Sequence, residues 1–576
     1  INDVLKMDVK KQEVGYGEIF EEVNRTKTHQ GHENLYESSS TGVKGLDKLL
    51  GGGFPKGSVV LLAGSSGSGK TIFSFQWLFE GIKNGENGIY ITVTEPLFKT
   101  LKNLEVMNFY DRNAIEREKL KIIDIREIYK DEGFNLERII NFIEEQVRQN
   151  NARRLCIDSI TAIAYNLDNK AKIRKFIFEL GKVIATLGCT TVLTSEVVDR
   201  DRYSVYNVEE FISDAIIKLA QIRIGDELQR VMRIVKIRGR GCRSDDLYFK
   251  ISERGIRVFP KLDISLNYKS STERVSTGNE ALDDLLSGGI FRGSSTLIAG
   301  PTGTGKSLLS MQFIIEGLER GEPCLYAGFE ESRDQLIRNA KGFGWDLEKY
   351  EKNGLLTLRC VYPREKHIEE HLTDMGHIVE GRKINRCVID SLSAIENSFP
   401  EENFADFVIR VNGYLKMQNV TTFFTSAATS LIGSRRLTES HISTIADNII
   451  MLKHVEMQGE LGLVINIIKA RGSSHSKRLI EYRITDKGIA IGQCLYGYEG
   501  IIGGMTRKTG DTVEDKLESE FEKFIGSETE SVFPSLKSEG FSKENIFACI
   551  DKLIKKGILK KDNGIELKED VKKIMR

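Results

Sequence analysis

A phosphate-binding loop that occurs twice is the feature that most constrains the fold of this chain. The two copies begin 236 positions apart and read Gly64-Ser65-Ser66-Gly67-Ser68-Gly69-Lys70-Thr71 and Gly300-Pro301-Thr302-Gly303-Thr304-Gly305-Lys306-Ser307. Both match G-x-x-x-x-G-K-[ST] in full, and each follows a short apolar run and precedes a helix-like stretch. A glycine-rich turn before an ordinary helix would account for one such octet. Two octets in a strand–loop–helix context indicate nucleotide binding.

The residue types in the loop suit the chemistry of a bound nucleoside triphosphate. Glycines allow successive backbone N–H groups to point inward at phosphate oxygens, and the helix that follows adds its positive end. Lys70 and Lys306 are predicted to reach the β and γ phosphates, and the hydroxyls of Thr71 and Ser307 are predicted to hold Mg²⁺. Leu308 is included among the residues of the second nucleotide site.

Length and composition describe a soluble protein of several domains. A chain of 576 residues is too long for one core, and roughly three or four domains are expected. The 83 basic and 83 acidic residues cancel, so no overall field favours nucleic acid or an anionic membrane. The eight cysteines are scattered without a C-x-x-C pair, and no apolar run approaches the ~18 residues of a membrane span. We expect reduced cysteines, a cytoplasmic location and no membrane association.

The loops belong to a longer repeat in which strands and helices alternate. Each loop is preceded by Ser-Thr-Gly and Leu-Asp, and is followed by a strand ending in acid, a strand ending in Asp-Ser, and Lys-x-Arg-Gly. Alternating strands and helices predict an α/β fold with a mainly parallel sheet covered on both faces, here in two tandem copies. The predicted boundaries are a charged extension at 1–37, a first domain at 38–262, a linker at 263–272, a second domain at 273–500, a linker at 501–510 and a tail at 511–576.

Acidic residues end the strands beside each loop. Asp158 and Asp390 end apolar strands, where a carboxylate can orient the water shell of Mg²⁺, although a single strand-end aspartate often only caps the next turn. Their matched positions in the two halves favour the metal role. A neighbouring strand leads to Glu95 in the first half and to Glu330 and Glu331 in the second. These glutamates are candidates for aligning an attacking water or hydroxyl, and Glu330 is a candidate metal ligand as well.

With these motifs the chain resembles the KaiC family, the tandem RecA-like ATPases of the cyanobacterial circadian clock. The resemblance covers about 40–507 and rests most on the segments Glu330-Glu331-Ser332-Arg333, Asp390-Ser391-Leu392-Ser393-Ala394 and Thr438-Glu439-Ser440-His441-Ile442-Ser443-Thr444-Ile445. It implies two RecA-like domains in a double-ring homo-hexamer, with ATP and Mg²⁺ held between neighbouring subunits. It also implies a slow ATPase in the first ring and, in the second, an autokinase that phosphorylates and dephosphorylates Ser443 and Thr444. Thr438 would be a minor acceptor and Glu330 the base.

The resemblance further implies which cations complete each site. Lys236 and Arg238 in the first half, and Lys469 and Arg471 in the second, match residues that reach the γ-phosphate held by a neighbouring subunit. A cation arriving in this way stabilises transition-state charge as an arginine finger does. The alternative for each pair is a solvated strand edge.

Two further contacts to the nucleotide follow from the resemblance. His475 follows the second cation pair at the family spacing, whereas the first half has Cys242 there. Phe343 falls where the family places an aromatic ring beside adenine, although a phenylalanine in this segment could equally be a core residue.

The two halves are expected to differ in chemistry. The first half has Thr94-Glu95-Pro96 where the family has paired glutamates, so hydrolysis there depends on Glu95 alone, or the first ring binds ATP mainly for assembly. Aligning Asp214 with Asp447 places Glu210 and Phe211 opposite Ser443 and Thr444. The first half therefore lacks an acceptor hydroxyl at the positions where the second has two, although serine and threonine are also common in plain loops.

Residues 511–576 depart from the family pattern. The predicted elements are helices at Val513–Ile525, Val532–Ser538 and Lys543–Lys556, followed by a hairpin over Gly557–Leu567 whose turn is Asp562-Asn563-Gly564. Three helices and a β wing predict a small α+β winged-helix-like domain. Its 13 basic and 15 acidic residues favour contact with a regulatory protein over DNA, because a helix that reads DNA normally lies in a clearly basic surface.

Three functions are consistent with these features. The leading hypothesis is an ATP-driven signalling hexamer that phosphorylates itself, with a role in timing left open. A RecA-type DNA motor would use the loops and a winged tail, but it does not explain the hydroxyls at Ser443 and Thr444. A nucleotide-gated scaffold without kinase activity is supported by Thr94.

Overall fold

The structure is a computed structural model that describes residues 37–93, 97–128, 135–165, 167, 169–197, 203–204, 209–224, 227–241, 245–427, 445–457, 460–495, 498–499, 507–508 and 513–575. The chain divides into two compact units, Ile1–Pro260 and Lys261–Arg576. Each unit contains one of the two phosphate loops.

The first unit is an α/β domain. Its strands are β1 (Ser38–Ser39), β2 (Phe54–Pro55), β3 (Val59–Gly64), β4 (Gly88–Thr92), β5 (Leu120–Asp124), β6 (Arg154–Asp158), β7 (Thr190–Glu196), β8 (Ala215–Ile224), β9 (Glu227–Ile237), β10 (Asp246–Ser252) and β11 (Gly255–Val258). Its helices are α1 (Lys70–Lys83), α2 (Leu97–Leu104), α3 (Arg112–Glu116), α4 (Leu136–Gln149), α5 (Ile160–Tyr165), α6 (Lys170–Leu187) and α7 (Glu209–Ile212), with a 3₁₀ turn at Ile125–Ile128.

The second unit repeats this architecture and adds a helical tail. Its strands are β12 (Arg274–Val275), β13 (Ile290–Phe291), β14 (Ser295–Ala299), β15 (Cys324–Gly328), β16 (Leu356–Cys360), β17 (Arg386–Asp390), β18 (Thr421–Ser426), β19 (Asn448–Met457), β20 (Glu460–Ala470), β21 (Ile480–Thr485), β22 (Gly488–Cys494), β23 (Tyr498–Glu499) and β24 (Arg507–Lys508). Its helices are α8 (Glu280–Leu285), α9 (Lys306–Glu319), α10 (Arg333–Lys341), α11 (Leu347–Lys352), α12 (Ile368–Arg382), α13 (Leu392–Glu396), α14 (Glu401–Met417), α15 (Val513–Ile525), α16 (Thr529–Glu539), α17 (Lys543–Lys555) and α18 (Lys561–Ile574), with 3₁₀ turns at Pro363–Glu365 and Gly526–Glu528.

Within the described residues, each unit has one nine-stranded sheet, and the two sheets have the same topology. The strand orders are β11-β10-β9-β8-β3-β7-β6-β4-β5 and β16-β15-β17-β18-β14-β19-β20-β21-β22. The neighbours from β5 to β8 and from β16 to β19 pair in parallel, whereas the last three strands at the other end of each sheet pair antiparallel. The strand that leads to each phosphate loop is buried along its whole length, as expected for a strand covered on both faces. The predicted α/β fold with mainly parallel sheets is confirmed.

A buried arginine lies under the phosphate-loop helix of each domain and explains a glycine inside that helix. Arg154 donates from Nη1 to the carbonyl oxygens of Trp77 and Ser40, and pairs through Nε with Glu86 at 2.6 Å. Its guanidinium lies so close to α1 that a Cβ at Gly81 would approach Arg154 Nε to 2.4 Å. Arg386 makes the same contacts in the second domain, to the carbonyl oxygens of Phe313 and Ser276 and to Glu322, and Gly317 leaves the space there.

The tail is a domain of four helices with its own apolar core. Helix α15 has the predicted bounds, α16 is longer than predicted, and α17 ends one residue earlier than predicted. Buried residues from all four helices form the core, among them Leu517, Phe521, Leu536, Ile550 and Leu567.

The predicted hairpin over Gly557–Leu567, and with it the β wing, is wrong, because Lys561–Ile574 forms the helix α18. Gly564, Leu567 and Val571 recur at helical spacing and are buried, whereas Ile565 is 57% exposed. The absent side chain at Gly564 allows close packing, since a Cβ there would come within 2.4 Å of Ile554 Cδ1. Packing against α17 therefore overrides the turn preference of Asn563-Gly564.

None of the described helices is long and apolar enough to cross a membrane. The seven cysteines in the described part of the chain are free thiols, and Cys156, Cys189, Cys324 and Cys387 are buried. Burial raises the pKa of each of these four thiols, which keeps them protonated.

Candidate functional site

The first phosphate loop lies between the carboxyl end of β3 and the start of α1. Gly67 and Gly69 adopt φ angles of 74° and 106°, in the left-handed region that favours glycine. Lys70 is 7% exposed, and its Nζ donates to the carbonyl oxygens of Gly64 and Ser65, both at 2.9 Å. Burial lowers the pKa of Lys70, and the charges of Glu196 and Asp158 oppose that shift. The ammonium group is thus held within the loop, where phosphate oxygens would bind.

The second loop has nearly the same geometry at the carboxyl end of β14. Gly303 and Gly305 have φ angles of 83° and 81°. Lys306 Nζ donates to the carbonyl oxygen of Pro301 at 2.9 Å, and Thr304 Oγ1 donates to the same oxygen at 2.8 Å. Burial lowers the pKa of Lys306, opposed by the charges of Asp390 and Glu330.

A polar side chain from the neighbouring strand contacts each loop. Gln221 on β8 donates from Nε2 to the carbonyl oxygen of Gly67 at 3.1 Å. On β19, His454 Nε2 lies 3.2 Å from the carbonyl oxygen of Thr302. The sequence reasoning missed both residues, although they occupy the same place in the two halves of the repeat.

Asp158 ends β6 beside the first loop and accepts three hydroxyl hydrogen bonds. The donors are Thr71 Oγ1 at 2.9 Å and Tyr90 OH at 2.6 Å to Oδ2, and Thr194 Oγ1 at 2.6 Å to Oδ1. Burial first, and then the charge of Asp158, raise the pKa of Tyr90 well above its usual value, so the phenol remains a donor. Hydroxyl and carboxylate oxygens in contact are the donor set that Mg²⁺ prefers in proteins. The pair of Thr71 and Asp158 therefore fits the predicted metal role.

Asp390 repeats this arrangement at the end of β17. Tyr326 OH donates to Asp390 Oδ2 at 2.5 Å, and Thr425 Oγ1 donates to Oδ1. Ser307, the second predicted metal ligand here, is exposed at the start of α9. The tyrosine and threonine partners of both aspartates are further residues that the sequence reasoning missed. A comparison of the two halves could have found them, because both residue types recur at matched positions.

The two glutamates after β15 lie in different environments. Glu330 is exposed, and its carboxylate accepts a hydrogen bond from Ser391 Oγ. Glu331 is half-buried and accepts from Asn339 Nδ2 at 3.2 Å. Burial first, and then the charge of Asp390, raise the pKa of Glu331. Glu95, their candidate counterpart in the first half, lies outside the described residues.

The predicted cation pairs lie at the amino edge of each sheet, where β3 and β14 begin, whereas the phosphate loops lie at the carboxyl edge, where these strands end. Lys236 Nζ donates to the carbonyl oxygen of Ser213 at 2.9 Å, and Arg238 Nη1 pairs with Asp214 Oδ1 at 3.1 Å. Asp214 Oδ2 in turn accepts from the backbone N–H of Val59, the first residue of β3.

The second domain has the same arrangement around Asp447. Lys469 Nζ donates to the carbonyl oxygen of Ala446 at 2.7 Å, and Arg471 Nη1 lies 3.8 Å from Asp447 Oδ1. Asp447 Oδ2 accepts from the backbone N–H of Ser295, the first residue of β14, at 2.9 Å. These contacts support the alignment of Asp214 with Asp447.

The cation pairs are therefore separated from the phosphate loop of their own domain by the length of a strand. Ser295 and Gly300 are five residues apart along an extended strand, which is about 17 Å. The same spacing separates Val59 from Gly64. A lysine or arginine held at the first residue of the strand cannot contact a phosphate bound beyond its last residue.

The remaining predicted contacts lie apart from this geometry or outside the described residues. The ring of Phe343 stacks on Trp345 with centroids 5.3 Å apart, and Leu308 packs against the domain core. His475 is half-buried, three residues before Arg478. Thr438, Ser443, Thr444 and Cys242 lie outside the described residues.

Comparison with known proteins finds the same tandem organisation. A family model described as the KaiC ATPase matches residues 39–263 and again residues 275–495. The circadian clock protein KaiC3 of Synechocystis sp. is 37% identical over 497 residues, which are 85% of this chain and 98% of that protein. The circadian clock oscillator protein KaiC of Parathermosynechococcus lividus is 39% identical over 81% of this chain and 87% of its own length.

A third relative has similar coverage. The circadian clock oscillator protein KaiC of Synechococcus elongatus is 36% identical over 501 residues, or 86% of this chain and 95% of that protein. The match of both halves to the family and the similarity over nearly the whole length of these relatives agree with the two phosphate loops described above. The chain is a nucleotide-binding P-loop ATPase and belongs to the KaiC family.

Proposed function

We propose that this protein is an ATP-dependent signalling ATPase that assembles into a double-ring homo-hexamer and phosphorylates itself in its second domain. Ser443 and Thr444 are the proposed acceptors, with Thr438 as a minor site, and the same domain removes the phosphate again. The observation that carries the proposal is the separation between each phosphate loop and the cation pair of its own domain.

That separation supports catalysis between subunits. Lys469 and Arg471 are held at the amino edge of the sheet, whereas the loop lies about 17 Å away at the carboxyl edge. Cations in this position can serve only a nucleotide bound by another copy of the chain. A ring in which the amino edge of one domain faces the carboxyl edge of the next satisfies this requirement, and the first domain meets the same condition through Lys236 and Arg238.

The proposed acceptors fit this arrangement. Ile445, the residue that follows Thr444 in the chain, lies just before Asp447 at the amino edge, and its carbonyl oxygen accepts from Lys416 Nζ. Glu330 is the proposed base, because it is an exposed carboxylate that follows β15, at the carboxyl edge that also carries the loop. A hydroxyl presented by one subunit would thus meet the base and the γ-phosphate of its neighbour.

Mg²⁺ would be held by Thr71 and Asp158 in the first site and by Ser307, Asp390 and Glu330 in the second, and it would neutralise charge on the β and γ phosphates. Lys70 and Lys306 bind the same phosphates from within the loops. Burial and the charge of Asp390 raise the pKa of Glu331. Glu331 is the second candidate carboxylate, beside the proposed base Glu330.

The two rings would differ in the reactions that they catalyse. Glu210 and Phe211 occupy the positions of the acceptors in the first domain, and Phe211 is 76% exposed. The first domain would hydrolyse ATP slowly with Glu95, or bind it mainly for assembly. The names of the relatives support a role in timing, and the tail is the segment that would contact a regulatory protein.

Mass spectrometry of the protein incubated with Mg·ATP tests the autokinase. We expect phosphate on Ser443 or Thr444, and its loss in Lys306→Ala and in the double variant Ser443→Ala/Thr444→Ala. Glu95→Gln is the control for the first site: it leaves both phosphate loops intact for ATP binding and assembly, and phosphate formed by the second ring should remain detectable.

An unmodified chain that still hydrolyses ATP would overturn the autokinase and leave a nucleotide-gated scaffold. Hydrolysis stimulated by DNA would instead favour the DNA motor. A mixing experiment tests transfer between subunits, since Lys306→Ala subunits should acquire phosphate from Ser443→Ala/Thr444→Ala subunits in mixed rings. If neither variant is phosphorylated in such mixtures while the unmutated protein is, transfer between subunits is wrong.

A further inference from the structure

The segment that follows Arg471 connects the proposed finger residues to the start of β21. Ser476 lies in this segment and is 7% exposed, and its backbone N–H donates to the carbonyl oxygen of Leu285 at 3.0 Å. Asn466 on β20 donates from Nδ2 to the carbonyl oxygens of Lys477 and Arg478. The segment is therefore held at its far end by contacts that involve Ser476 and Arg478.

The tail supplies the side-chain partners of Ser476 and Arg478, at the far end of this segment. Arg478 pairs through Nη2 with Glu518 at 3.1 Å, through Nη1 with Glu522 at 2.8 Å and through Nε with Glu530 at 3.3 Å. The Arg478 side chain is 12% exposed, so these pairs are largely shielded from solvent. Glu530 also accepts a hydrogen bond from Ser476 Oγ at 2.6 Å. Two tail helices, α15 and α16, thus contact the segment directly.

Acidic and basic residues are distributed unevenly along the tail. Residues 513–539, which include α15 and α16, contain eight acidic and three basic residues, whereas residues 543–576 contain six acidic and ten basic ones. The acidic half of the tail is the half that contacts Arg478. The first domain has an acidic residue, Asp245, at the position of Arg478, since Leu247 pairs with Met232 there as Ile480 pairs with Ile465 in the second domain.

The first domain holds its corresponding segment differently. Arg240, two residues after Arg238, donates to the carbonyl oxygens of Leu50 and Gly53 and to Ser38 Oγ. The segment in the first domain therefore carries its own anchoring guanidinium close to the finger. The second domain has Ser473 in place of Arg240.

In the second domain the guanidinium comes from outside the segment. Arg274 on β12 donates to the carbonyl oxygens of Leu286 and Gly289 and to Ser473 Oγ at 2.8 Å. Ser473 thus accepts a hydrogen bond from the anchoring guanidinium of Arg274. The placement of the second segment depends on β12 at one end and on the tail at the other.

We propose that the tail positions Lys469 and Arg471, so that the second ring, unlike the first, has an active site whose finger is set by the C-terminal helices. This inference rests on the proposed finger role. Arg478 and Ser476 act as positioning residues, because they contact the tail rather than the nucleotide. A displacement of about 1 Å in a catalytic group can lower a rate by about 100-fold, so a loosened segment should lower turnover in the second ring. Any partner that moves the tail would regulate that ring alone.

The test uses the full-length chain with the triple variant Glu518→Gln/Glu522→Gln/Glu530→Gln. The matched control is Glu514→Gln/Glu520→Gln/Glu528→Gln, which removes three charges from the same part of the tail. Among the described residues, the side chains of these glutamates pair with Lys537, Lys523 and Ser531, all within the tail. Both sets are made with and without Glu95→Gln, which removes the candidate catalytic carboxylate of the first site and leaves its ATP-binding loop intact.

Hydrogen exchange of the peptide covering 469–478 is the first readout, and it does not depend on activity. We expect at least about tenfold faster exchange in the triple variant, with no change in the control or in the peptide covering 236–245. Protection of α17 is followed in parallel to show that the tail remains folded. Unchanged exchange at 469–478 would overturn the proposal.

The second readout is ATP turnover in the Glu95→Gln background. We expect kcat to fall at least about tenfold in the triple variant with KM for Mg·ATP within about twofold, because the phosphate loop is untouched and only the finger moves. Arg478→Lys should retain more turnover than Arg478→Met. Faster exchange with an unchanged kcat would overturn the positioning role.

A different result would count against the proposed function instead. If Glu95→Gln with an intact tail shows no turnover and no phosphorylation, the second site is not an active site. The exchange measurement then decides by itself whether the tail holds the segment.

Discussion

In both ATPase domains an arginine under the phosphate-loop helix binds two backbone carbonyls and a glutamate. The segments that follow the proposed finger residues Arg238 and Arg471 differ, because the guanidinium that anchors each segment comes from a different part of the chain. Arg240 extends from the first segment to Ser38, whereas Arg274 extends to Ser473 in the second. The guanidinium contacts the same pair of carbonyls in each domain, although it belongs to a different part of the chain.

This difference teaches that the repeat preserves contacts rather than residues. Asp158 and Asp390 each accept from a tyrosine and a threonine at matched positions, whereas Thr71 contacts Asp158 only in the first domain. The segments after Arg238 and Arg471 differ more, because a guanidinium can donate to the same two carbonyl oxygens from the segment itself, as Arg240 does, or from β12, as Arg274 does. In the second domain, the segment after Arg471 also contacts α15 and α16 through Arg478 and Ser476.

The largest expected effect comes from removing the buried arginines. Arg154→Met should lower the free energy of unfolding of the first unit by about 3–5 kcal/mol, because Glu86 and two carbonyls lose their partner in the interior. Arg386→Met should cost less, because Arg292 remains 3.2 Å from Glu322, whereas Lys56 is 3.9 Å from Glu86.

The two tryptophans allow each unit to be followed by fluorescence during denaturation. Trp77 reports on the first unit in a Trp345→Phe background, and Trp345 reports on the second in a Trp77→Phe background. Arg148→Met and Arg320→Met are matched controls, because both arginines are exposed and, within the described part of the chain, each pairs with a glutamate one turn away. Equal losses in the two units would contradict the role given to Arg292.

An exchange of residues tests the reciprocal anchors. Arg274→Ser should destabilise the second unit by about 1–3 kcal/mol, because two carbonyls lose a charged donor. Adding Ser473→Arg should restore most of that loss, since the new side chain occupies the position that Arg240 has in the first domain. The double-mutant cycle measures the coupling between the two positions. If the double variant is as unstable as the sum of the single variants, the two anchors are not equivalent.

The smallest expected effect is a difference in acid sensitivity. Burial, followed by the charge of Arg359, lowers the pKa of His371 to about 4. His371 Nδ1 lies 2.7 Å from Arg359 Nη2, and Nε2 lies 2.8 Å from the carbonyl oxygen of Pro363, so the neutral ring accepts at Nδ1 and donates at Nε2. The unfolded chain takes up the proton near pH 6.5 and the folded one only near pH 4. Stability from this group is therefore complete above pH 6.5 and is lost as the pH falls toward 4.

The unfolding free energy of the second unit should fall between pH 7 and pH 5. In His371→Asn this fall should be smaller by about 2 kcal/mol. The described part of the first unit contains no histidine, so its stability should change less over this range. Denaturant titrations at the two pH values, read by Trp345, provide the measurement. An identical pH dependence in the variant would show that His371 does not titrate as its contacts indicate.

Local patterns were sufficient for much of the fold and for the interior of the site. Helix α15 was predicted with its observed bounds because its apolar residues recur at helical spacing, and the strand–loop–helix motif located Lys70 and Lys306. Asp158 and Asp390 were found for the same reason, as acids at the ends of apolar strands. The hairpin failed because Asn563-Gly564 carries a turn preference that is weaker than the packing of Leu567 and Val571 in the tail core.

The sequence by itself determined the number of ATPase domains, the identity of the phosphate loops and the difference between the halves at the proposed acceptor positions, because each depends on residues that are neighbours in the chain. Only the tertiary structure decided at which edge of the sheet the proposed finger residues lie and which residues contact them. Arg240 and Leu50 are 190 positions apart, and Arg478 and Glu518 are 40 positions apart. Such contacts depend on how strands and helices pack, and no periodicity or motif along the chain records them.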